Sequence, residues 1–397
     1  MKNLSNTTLV ALASTYPRWP HDKVPTFVQD FVNWQSANFK QVKVIAPHHK
    51  GAAHIEKTQN GTSVRRFHYA YPYKFENIAY GEFRKNFLYP AKAALYIISE
   101  LTTTFFTCLR CRPFILNAHW LIPQGFVAVL LKPLLGCKVV ITIHGADVFT
   151  LNGAVASAAK RFGLKRADAV VCNSSATLAV CEKLYPRDDY KIISMGIDVD
   201  EFKAKKSSSK NGRLKILFVG RLVEAKGVIF LCQAVEQLVR SGETNLEATI
   251  IGGGTEEAGL QKYIKHHKLE KYIKLIGWVD HDRLPEYYAA ADVFVGPSLI
   301  SKNGWQEAFG LVFAESLATG TPVIGTKTGG IKDIVIDGEN GFLVDQKNSR
   351  QIADRLQSLI DDPKLLKKMQ AKSRQHIVDN FSWSAITKKY QQVFAKL

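Results

Sequence analysis

The chain has 397 residues, 46% hydrophobic and 22% charged, a composition ordinary for a soluble globular protein but too long for one comfortable core, so two domains of roughly 200 residues are expected. Its net charge of +18, heavier in the N-terminal half, suits an anionic partner such as a membrane surface, nucleic acid or a phosphorylated ligand. Six scattered cysteines form no disulfide framework and point to a reducing, cytoplasmic compartment; the N-terminal apolar run is too short for a signal peptide, and no window offers the ~20 uninterrupted apolar residues that cross a bilayer.

Strand-like and helix-like runs alternate along the chain. Apolar runs at 8–13, 42–46, 115–118, 138–143, 168–172 and 190–194 read as buried parallel strands. Phe27, Phe31, Trp34 and Asn38 lie at helical spacing after Thr26, a predicted N-cap. The segment 65–112 interleaves aromatics, from Phe67 to Phe106 and including Tyr80, Phe83, Phe87 and Tyr89, with cations that include Arg65, Arg84, Lys85, Lys92 and Arg110. That mixture suits docking on an anionic membrane or single-stranded nucleic acid. The plainer reading is a helix packed on the sheet through Leu95, Ile98, Leu101 and Phe105. Cys108 and Cys111 form a C-x-x-C with no second pair, read as coincidence. Lys160, Arg161, Lys165 and Arg166 read as a solvated basic surface, and His48, His49, His266 and His267 as surface histidines.

The run FKAKKSSSKNGR, 202–213, is polar, basic and without periodicity, which marks a linker. Strands are then predicted near 214–219, 247–251, 273–276, 292–295, 322–325 and 342–344, and helices close the chain. Two successive α/β units follow: 1–200, a linker at 201–212, 213–380, and a final helix over 381–397 packing back toward the first unit. Each is expected to be a doubly wound parallel sheet, with ligands at the carboxyl ends of its strands and a cleft where the two face each other.

The second unit carries the denser motifs. FVGRLVEAKG, 218–227, puts Gly220, Arg221 and Lys226 after a strand and before a helix, a receptor for a diphosphate unless the two cations are merely solvated. IIGGGTEE, 250–257, ends a strand in glycines around Gly253, so that a ligand could approach the backbone. EAFGLVFAE, 307–315, sets Glu307 and Glu315 eight residues apart. On a continuous helix that is ~12 Å along the axis, beyond the ~5–9.5 Å of a glycosidase acid/base pair. The spacing suits the two ends of a nucleotide sugar, with helix-start N–H groups between them; a helix with one exposed and one ion-paired Glu is the alternative. In the first unit, His119 in ILNAHWLIPQG and His144 in ITIHGADVF stand at successive strand ends, where a histidine can donate to a sugar hydroxyl or a departing phosphate unless each is simply a satisfied core residue.

The run from Gly277 to Val344 resembles the retaining glycosyltransferases of family 4, the group 1 family with the GT-B fold. The resemblance rests on the A-D-V-F-V-x-P-S strand, the E-x7-E pair, and the A-x-G-x-P-V-I, T-G-G-I-x-D and G-x-x-G-F-L-V segments. V-G-R-L-x-x-x-K-G and Gly196-Ile197-Asp198 fit as well. It implies two Rossmann-like domains facing across a cleft. It implies Glu307 on the donor sugar, Glu315 on the ribose, Arg221 and Lys226 on the diphosphate, and the loop after Gly277 on the base. Gly220, Gly253, Phe309, Gly310 and Leu311 complete the nucleotide-sugar set. H-W-x-x-P-x-G and H-G-x-D elements imply His119, His144 and Asp147 as sugar-side contacts, with His144 near the anomeric carbon. The family's Gly-Gly loop after the first strand is replaced by STYPRWPHDKVPTF, whose Arg18 is a candidate acceptor contact.

The expected function is retaining transfer of a hexose-type sugar from a nucleotide-diphosphate sugar to a saccharide or lipid-linked saccharide acceptor, feeding a cell-surface polysaccharide or glycolipid. The enzyme is expected to need no metal and no other cofactor, to bind no nucleic acid, and to be cytoplasmic or peripheral at the inner membrane face. The D-x-D matches Asp198–Asp200 and Asp280–Asp282 are read as decoys for a metal motif. The rival readings are a GT-B nucleotide-sugar epimerase and a non-catalytic basic protein that binds membrane or RNA.

Overall fold

The computed structural model describes residues 4–20, 22, 24–79, 89–203, 212–302 and 304–397. The predicted linker residues 204–211, and Tyr80, Phe83, Arg84, Lys85 and Phe87, lie outside these, as does the Tyr89 side chain. The chain forms two compact units. One runs to Asn173, takes in Thr177–Gly196 and ends with Ile386–Leu397; the other comprises Ser174–Ala176 and Ile197–Ala385.

The first unit has eight strands: β1 (Thr8–Leu12), β2 (Gln41–Pro47), β3 (Ile55–Lys57), β4 (Ser63–Phe67), β5 (Phe114–His119), β6 (Lys138–Ile143), β7 (Ala169–Cys172) and β8 (Lys191–Ile192). Their order is β3-β4-β2-β1-β5-β6-β7-β8, parallel throughout except for the β3–β4 pair. The helices are α1 (Phe27–Gln35), α2 (Tyr89–Cys108), α3 (Phe126–Leu135), α4 (Ala146–Phe149), α5 (Ala154–Arg166) and α6 (Ser175–Leu184). Every residue of β1 is buried, as a strand covered on both faces requires. Its two neighbours hold Leu12 opposite Ile45 and Ala118, so the strand order reverses at β1 and β5.

The second unit contains β9 (Leu214–Val219), β10 (Leu246–Ile251), β11 (Ile273–Gly277), β12 (Val293–Gly296), β13 (Val323–Thr326) and β14 (Gly341–Val344). The sheet order is β11-β10-β9-β12-β13-β14, all parallel. Counted within the unit this is 3-2-1-4-5-6, the doubly wound order of nucleotide-binding sheets, with its switch point between β9 and β12. Its helices are α7 (Val228–Arg240), α8 (Glu257–His266), α9 (Leu284–Ala290), α10 (Leu311–Ala318), α11 (Ile331–Ile334), α12 (Ser349–Asp361) and α13 (Pro363–Phe381), while α14 (Trp383–Phe394) belongs from Ile386 onward to the first unit. α7 buries Val228, Leu231, Cys232, Val235 and Leu238 against the sheet, each worth ~1.5–3 kcal/mol for a large aliphatic.

Three sequence expectations change here. β3 and β4 carry no apolar run, because β4 buries Arg66 completely; its guanidinium donates to Pro17 O at 2.7 Å and Glu56 Oε1 at 2.6 Å. Thr26 does not cap α1 through its side chain, whose hydroxyl donates to Asp30 Oδ2 instead. The units divide at Gly196/Ile197, ahead of the polar stretch, because Arg374 on α13 donates to the carbonyls of Val199 and Phe202 and holds them on the second unit.

Candidate active site

In the second unit the candidate residues gather at the carboxyl end of the sheet. The loop after β9 runs from Gly220 to Gly227. Leu222 N donates to Gly253 O, which joins it to the glycine turn after β10. A Cβ at Gly252 or Gly254 would lie 1.8 Å from Gly220 O or 2.3 Å from Leu222 O, so those two glycines serve loop packing. Gly253, the sequence candidate, faces only the end of the Glu257 side chain. Gly277 ends β11 in the left-handed region, at φ +74°.

Arg221 is exposed and has no ion pair among the described residues. Lys226 turns inward. Its ammonium pairs with Glu307 Oε2 and lies 5.5 Å from the centre of the Trp305 ring. Both partners of this pair keep only about one-seventh of their side-chain surface, 15% and 14%. A cation and a carboxylate 81 residues apart in sequence are thus brought to one point.

Glu307 is not on a helix. α10 begins at Leu311, after Gly310 at φ +95°, so the continuous helix assumed from the E-x7-E spacing is interrupted. Residues 307–310 form an irregular loop that leads into the first turn of α10, where Phe313 N donates to Gly310 O at 3.0 Å. That loop is held by the segment Thr328-Gly329-Gly330: Gly330 N donates to Glu307 O at 2.9 Å, and Gly329 passes so close that a Cβ would lie 1.9 Å from the same oxygen. Phe309 is buried against Phe381.

Glu315, buried on α10, accepts from Tyr288 Oη at 2.8 Å and meets His281 Nε2 at 3.4 Å. Hydrogen bonding to Glu201, then to Glu315, raises His281 to about 10. Burial, with the Glu315 charge beside it, pushes the Tyr288 phenol well above its ordinary value. Of the two D-x-D matches, Asp198 spends its carboxylate on the backbone N–H groups of Asp200 and Glu201.

In the first unit, His119 ends β5 and His144 follows β6. His119 Nδ1 and His144 Nε2 share a hydrogen bond of 3.0 Å, with the rings stacked. Burial holds His119 well below its ordinary value, and lowers His144 to about 3, so both are neutral near pH 7. Phe27 and Trp120 pack on the His144 ring, and Phe31 on that of His119. Trp120 sits at φ +81°, a strained conformation for a bulky residue beside a site.

Asp147 is buried and accepts backbone hydrogen bonds from Leu121 at 2.7 Å, Gly145 at 2.8 Å and His144 at 3.3 Å. Its carboxyl is raised by burial, against these bonds. It fixes the turn that aims His144. Arg18 is bidentate to Asp22, 2.7 and 2.8 Å, and stacks on Trp19.

One group among the described residues has metal-ligand types at short range: His48, His68 and Glu76, whose ligand atoms lie within 4.8 Å of one another. Here Glu76 accepts from His48 Nδ1 at 2.6 Å, Tyr69 N at 2.9 Å and His68 Nδ1 at 3.2 Å. All six cysteines are free and buried, Cys108 and Cys111 included.

Residues 199–376 match the model of the glycosyl transferases group 1, and residues 24–201 that of glycosyltransferase family 4. Between them the two models take in most of the chain, including every candidate residue except Arg18. The chain belongs to the group 1 glycosyltransferases of family 4.

Among its relatives, N-acetyl-alpha-D-glucosaminyl L-malate synthase of Bacillus anthracis is 28% identical over 292 residues, 70% of this chain and 74% of that one. Glycogen synthase of Mycobacterium tuberculosis H37Rv is 27% identical over 293 residues, 71% of this chain and 69% of that one. The fold is similar to sucrose-phosphate synthase from Thermosynechococcus elongatus (TM-score 0.77, 19% identity, 99% of this chain and 100% of that one). It is also similar to HepE of Anabaena in complex with UDP (TM-score 0.75, 17% identity, 98% and 100%). Two doubly wound α/β units are thus what this glycosyltransferase shares with GT-B enzymes.

Several residues that meet the candidate groups gave no signal in the sequence. His281 and Tyr288 reach Glu315 from a 3-10 turn and from α9, and Trp305 lies beside Lys226. Lys160 is buried rather than solvated, donating to the carbonyls of Val148 at 3.3 Å and Thr150 at 2.7 Å and so anchoring the loop that carries Asp147. His48 is buried, not a surface residue. A lone His or Lys in a mixed stretch has no periodicity to betray its partner.

Proposed function

We propose that this glycosyltransferase moves a hexose-type sugar from a nucleoside-diphosphate sugar to a lipid-linked saccharide at a cytoplasmic membrane face, with retention at the anomeric carbon. The observation that carries the reading is the convergence of Lys226 and Glu307 at the start of α10, with the Glu315 carboxylate farther along that helix. The second unit is the donor side. Glu307 would accept hydrogen bonds from the hexose hydroxyls and Glu315 from the ribose. Arg221 and Lys226 would neutralise the diphosphate, with no metal in the step, and the N–H groups around Phe309, Gly310 and Leu311 would add to them. Gly220 and Gly253 let the phosphates approach the backbone, and the loop after Gly277 meets the base.

The first unit is the acceptor side. Neutral His144, steered by Asp147 and braced by His119, would contact the donor sugar near its anomeric carbon. In the reaction, the bond from the anomeric carbon to the diphosphate oxygen breaks and a bond to the acceptor oxygen forms on the same face. The acceptor hydroxyl proton passes to the departing diphosphate, whose charge Arg221 and Lys226 stabilise. Arg18, already engaged by Asp22, would act on the acceptor through the shape of its loop.

A thermal-shift panel of UDP- and GDP-sugars tests the donor side, starting with UDP, the nucleotide named with HepE. A donor at 100 times its dissociation constant should stabilise the protein by ~2.7 kcal/mol. Release of nucleoside diphosphate should then require an acceptor and be lost in Glu307→Gln. Turnover of the nucleotide sugar without acceptor would favour an epimerase, and no stabilisation by any nucleotide sugar would refute the reading.

A further inference from the structure

Helix α2 has its polarity reversed. Its buried row is Tyr96, Glu100, Thr104 and Cys108, of which Tyr96 and Glu100 meet Gln124 on the adjoining segment. Its outward row is Ala91, Leu95, Ile98, Thr102 and Phe106, continued by Leu109 just past the helix end. At ~100° per residue these fall within an arc of about 80°, and none carries a charge. Ile98 is 57% exposed and Phe106 63%. The packing through Leu95 and Ile98 expected from helical spacing is therefore corrected: these residues point away from the sheet. A helix that faces water ordinarily presents charged and polar residues on that side, and a contiguous exposed apolar strip marks an interaction surface.

What flanks the strip tells what covers it. At the end near Cys108 lies a cavity of about 170 Å³ lined by Lys43, Arg65 and Arg110, the hydroxyl residues Ser63 and Thr107, and Phe106 of the strip itself. None of the three cations is ion-paired with a carboxylate among the described residues. At the other end, Lys92 and Lys74 lie 5.2 and 5.4 Å from the ring of the exposed Phe75, near exposed Tyr71 and Tyr73. An uncharged strip bordered at both ends by cations and aromatics matches the layered chemistry of an anionic bilayer surface: acyl chains beneath, phosphates at the rim. α2 is not long and apolar enough to cross a membrane, so the contact would lie in the interface plane.

We propose that the outward face of α2 docks the first unit on an anionic phospholipid bilayer, and that the Lys43–Arg65–Arg110 cavity receives a lipid phosphate. The inference locates the membrane contact of the reading above, but its test uses no donor or acceptor.

The full chain is sedimented with vesicles of phosphatidylcholine alone, or of equal parts phosphatidylcholine and phosphatidylglycerol. The wild type should pellet with the anionic vesicles only. Arg65→Ser/Arg110→Ser should weaken that partition about 30-fold, from ~1 kcal/mol per basic residue at the surface, and raised salt should weaken the wild type in the same direction. Ile98→Glu/Phe106→Glu should abolish pelleting while the melting curve stays unchanged. If either double variant melts early, the other decides. Equal binding to both vesicle types, or unchanged binding by the variants, would overturn the proposal. So would a wild-type dimer that Ile98→Glu dissociates in a protein without vesicle affinity, because a second copy would then be what covers the strip. Donor binding can fail without touching this result, and the reverse.

Discussion

Gly329→Ala tests how the glycosyltransferase holds Glu307. A Cβ on Gly329 would lie 1.9 Å from Glu307 O and 2.9 Å from its carbonyl carbon, where contacts under 3.0 Å essentially do not occur. Both atoms are backbone, so no rotamer change relieves the contact, and the Glu307 loop must retreat by about 1 Å. Misplacement of that size at a reacting centre costs ~100-fold in rate. The substitution also puts an L side chain at φ +52°, for ~1–2 kcal/mol. Gly338→Ala separates the two effects: φ there is +77°, but nothing lies within 4 Å of the added carbon. Urea unfolding should show a loss of ~1–2 kcal/mol in Gly338→Ala and a larger one in Gly329→Ala. Acceptor-dependent release of nucleoside diphosphate should fall ~100-fold in kcat/KM for Gly329→Ala only. If Gly329→Ala turns over within about threefold of Gly338→Ala, the Thr328-Gly329-Gly330 segment does not position Glu307 and the reasoning fails.

Lys226→Ala should weaken UDP binding by ~10- to 150-fold, the worth of one charge-assisted hydrogen bond of ~1.5–3 kcal/mol, read by titration calorimetry; unchanged affinity would remove Lys226 from the diphosphate. His144 stays neutral when folded down to about 3, whereas unfolded it takes a proton below its ordinary 6.5. The unfolded state therefore binds more protons in that window, and stability should fall by ~1.4 kcal/mol per pH unit for this group as pH drops from 6.5; His144→Asn should flatten the slope measured between pH 6.5 and 5. Burial pushes Glu100 up from 4.5 to about 8, so the wild type loses stability as pH rises through that interval. Glu100→Gln keeps the shape without the titration and should stabilise the protein by on the order of 3 kcal/mol at pH 7, with no difference below pH 4; a destabilised variant at pH 7 would show that the carboxyl is ionised and paired.

Much of the architecture was legible in the order of residues. The strand runs at 8–13, 42–46, 138–143 and 214–219 needed only an apolar stretch between turn signals, and the structure has β1, β2, β6 and β9 there. The alternation of such runs with amphipathic stretches is enough to imply parallel sheets. β4 escaped because Ser63-Val-Arg-Arg-Phe67 carries two arginines, and only the carbonyl of Pro17 and the carboxylate of Glu56 make it reasonable to bury Arg66. α2 was read with the wrong face inward for a related reason. Periodicity finds an apolar stripe, but it does not show that the row holding Glu100 and Thr104 is the one that turns inward.

The candidate site divides in the same way. The sequence by itself determined the residue types and the loops they stand on: cations and glycines after β9, carboxylates flanking an apolar run, histidines at two successive strand ends. Those follow from local pattern and from the family motifs. Tertiary structure alone decided which groups meet: Lys226 with Glu307, Glu315 with Tyr288 and His281, His119 with His144. It also decided that a left-handed Gly310 breaks the helix between the two glutamates. The physical reason is that the burial of a charge or a polar ring depends on partners tens of residues away, and no local spacing encodes them.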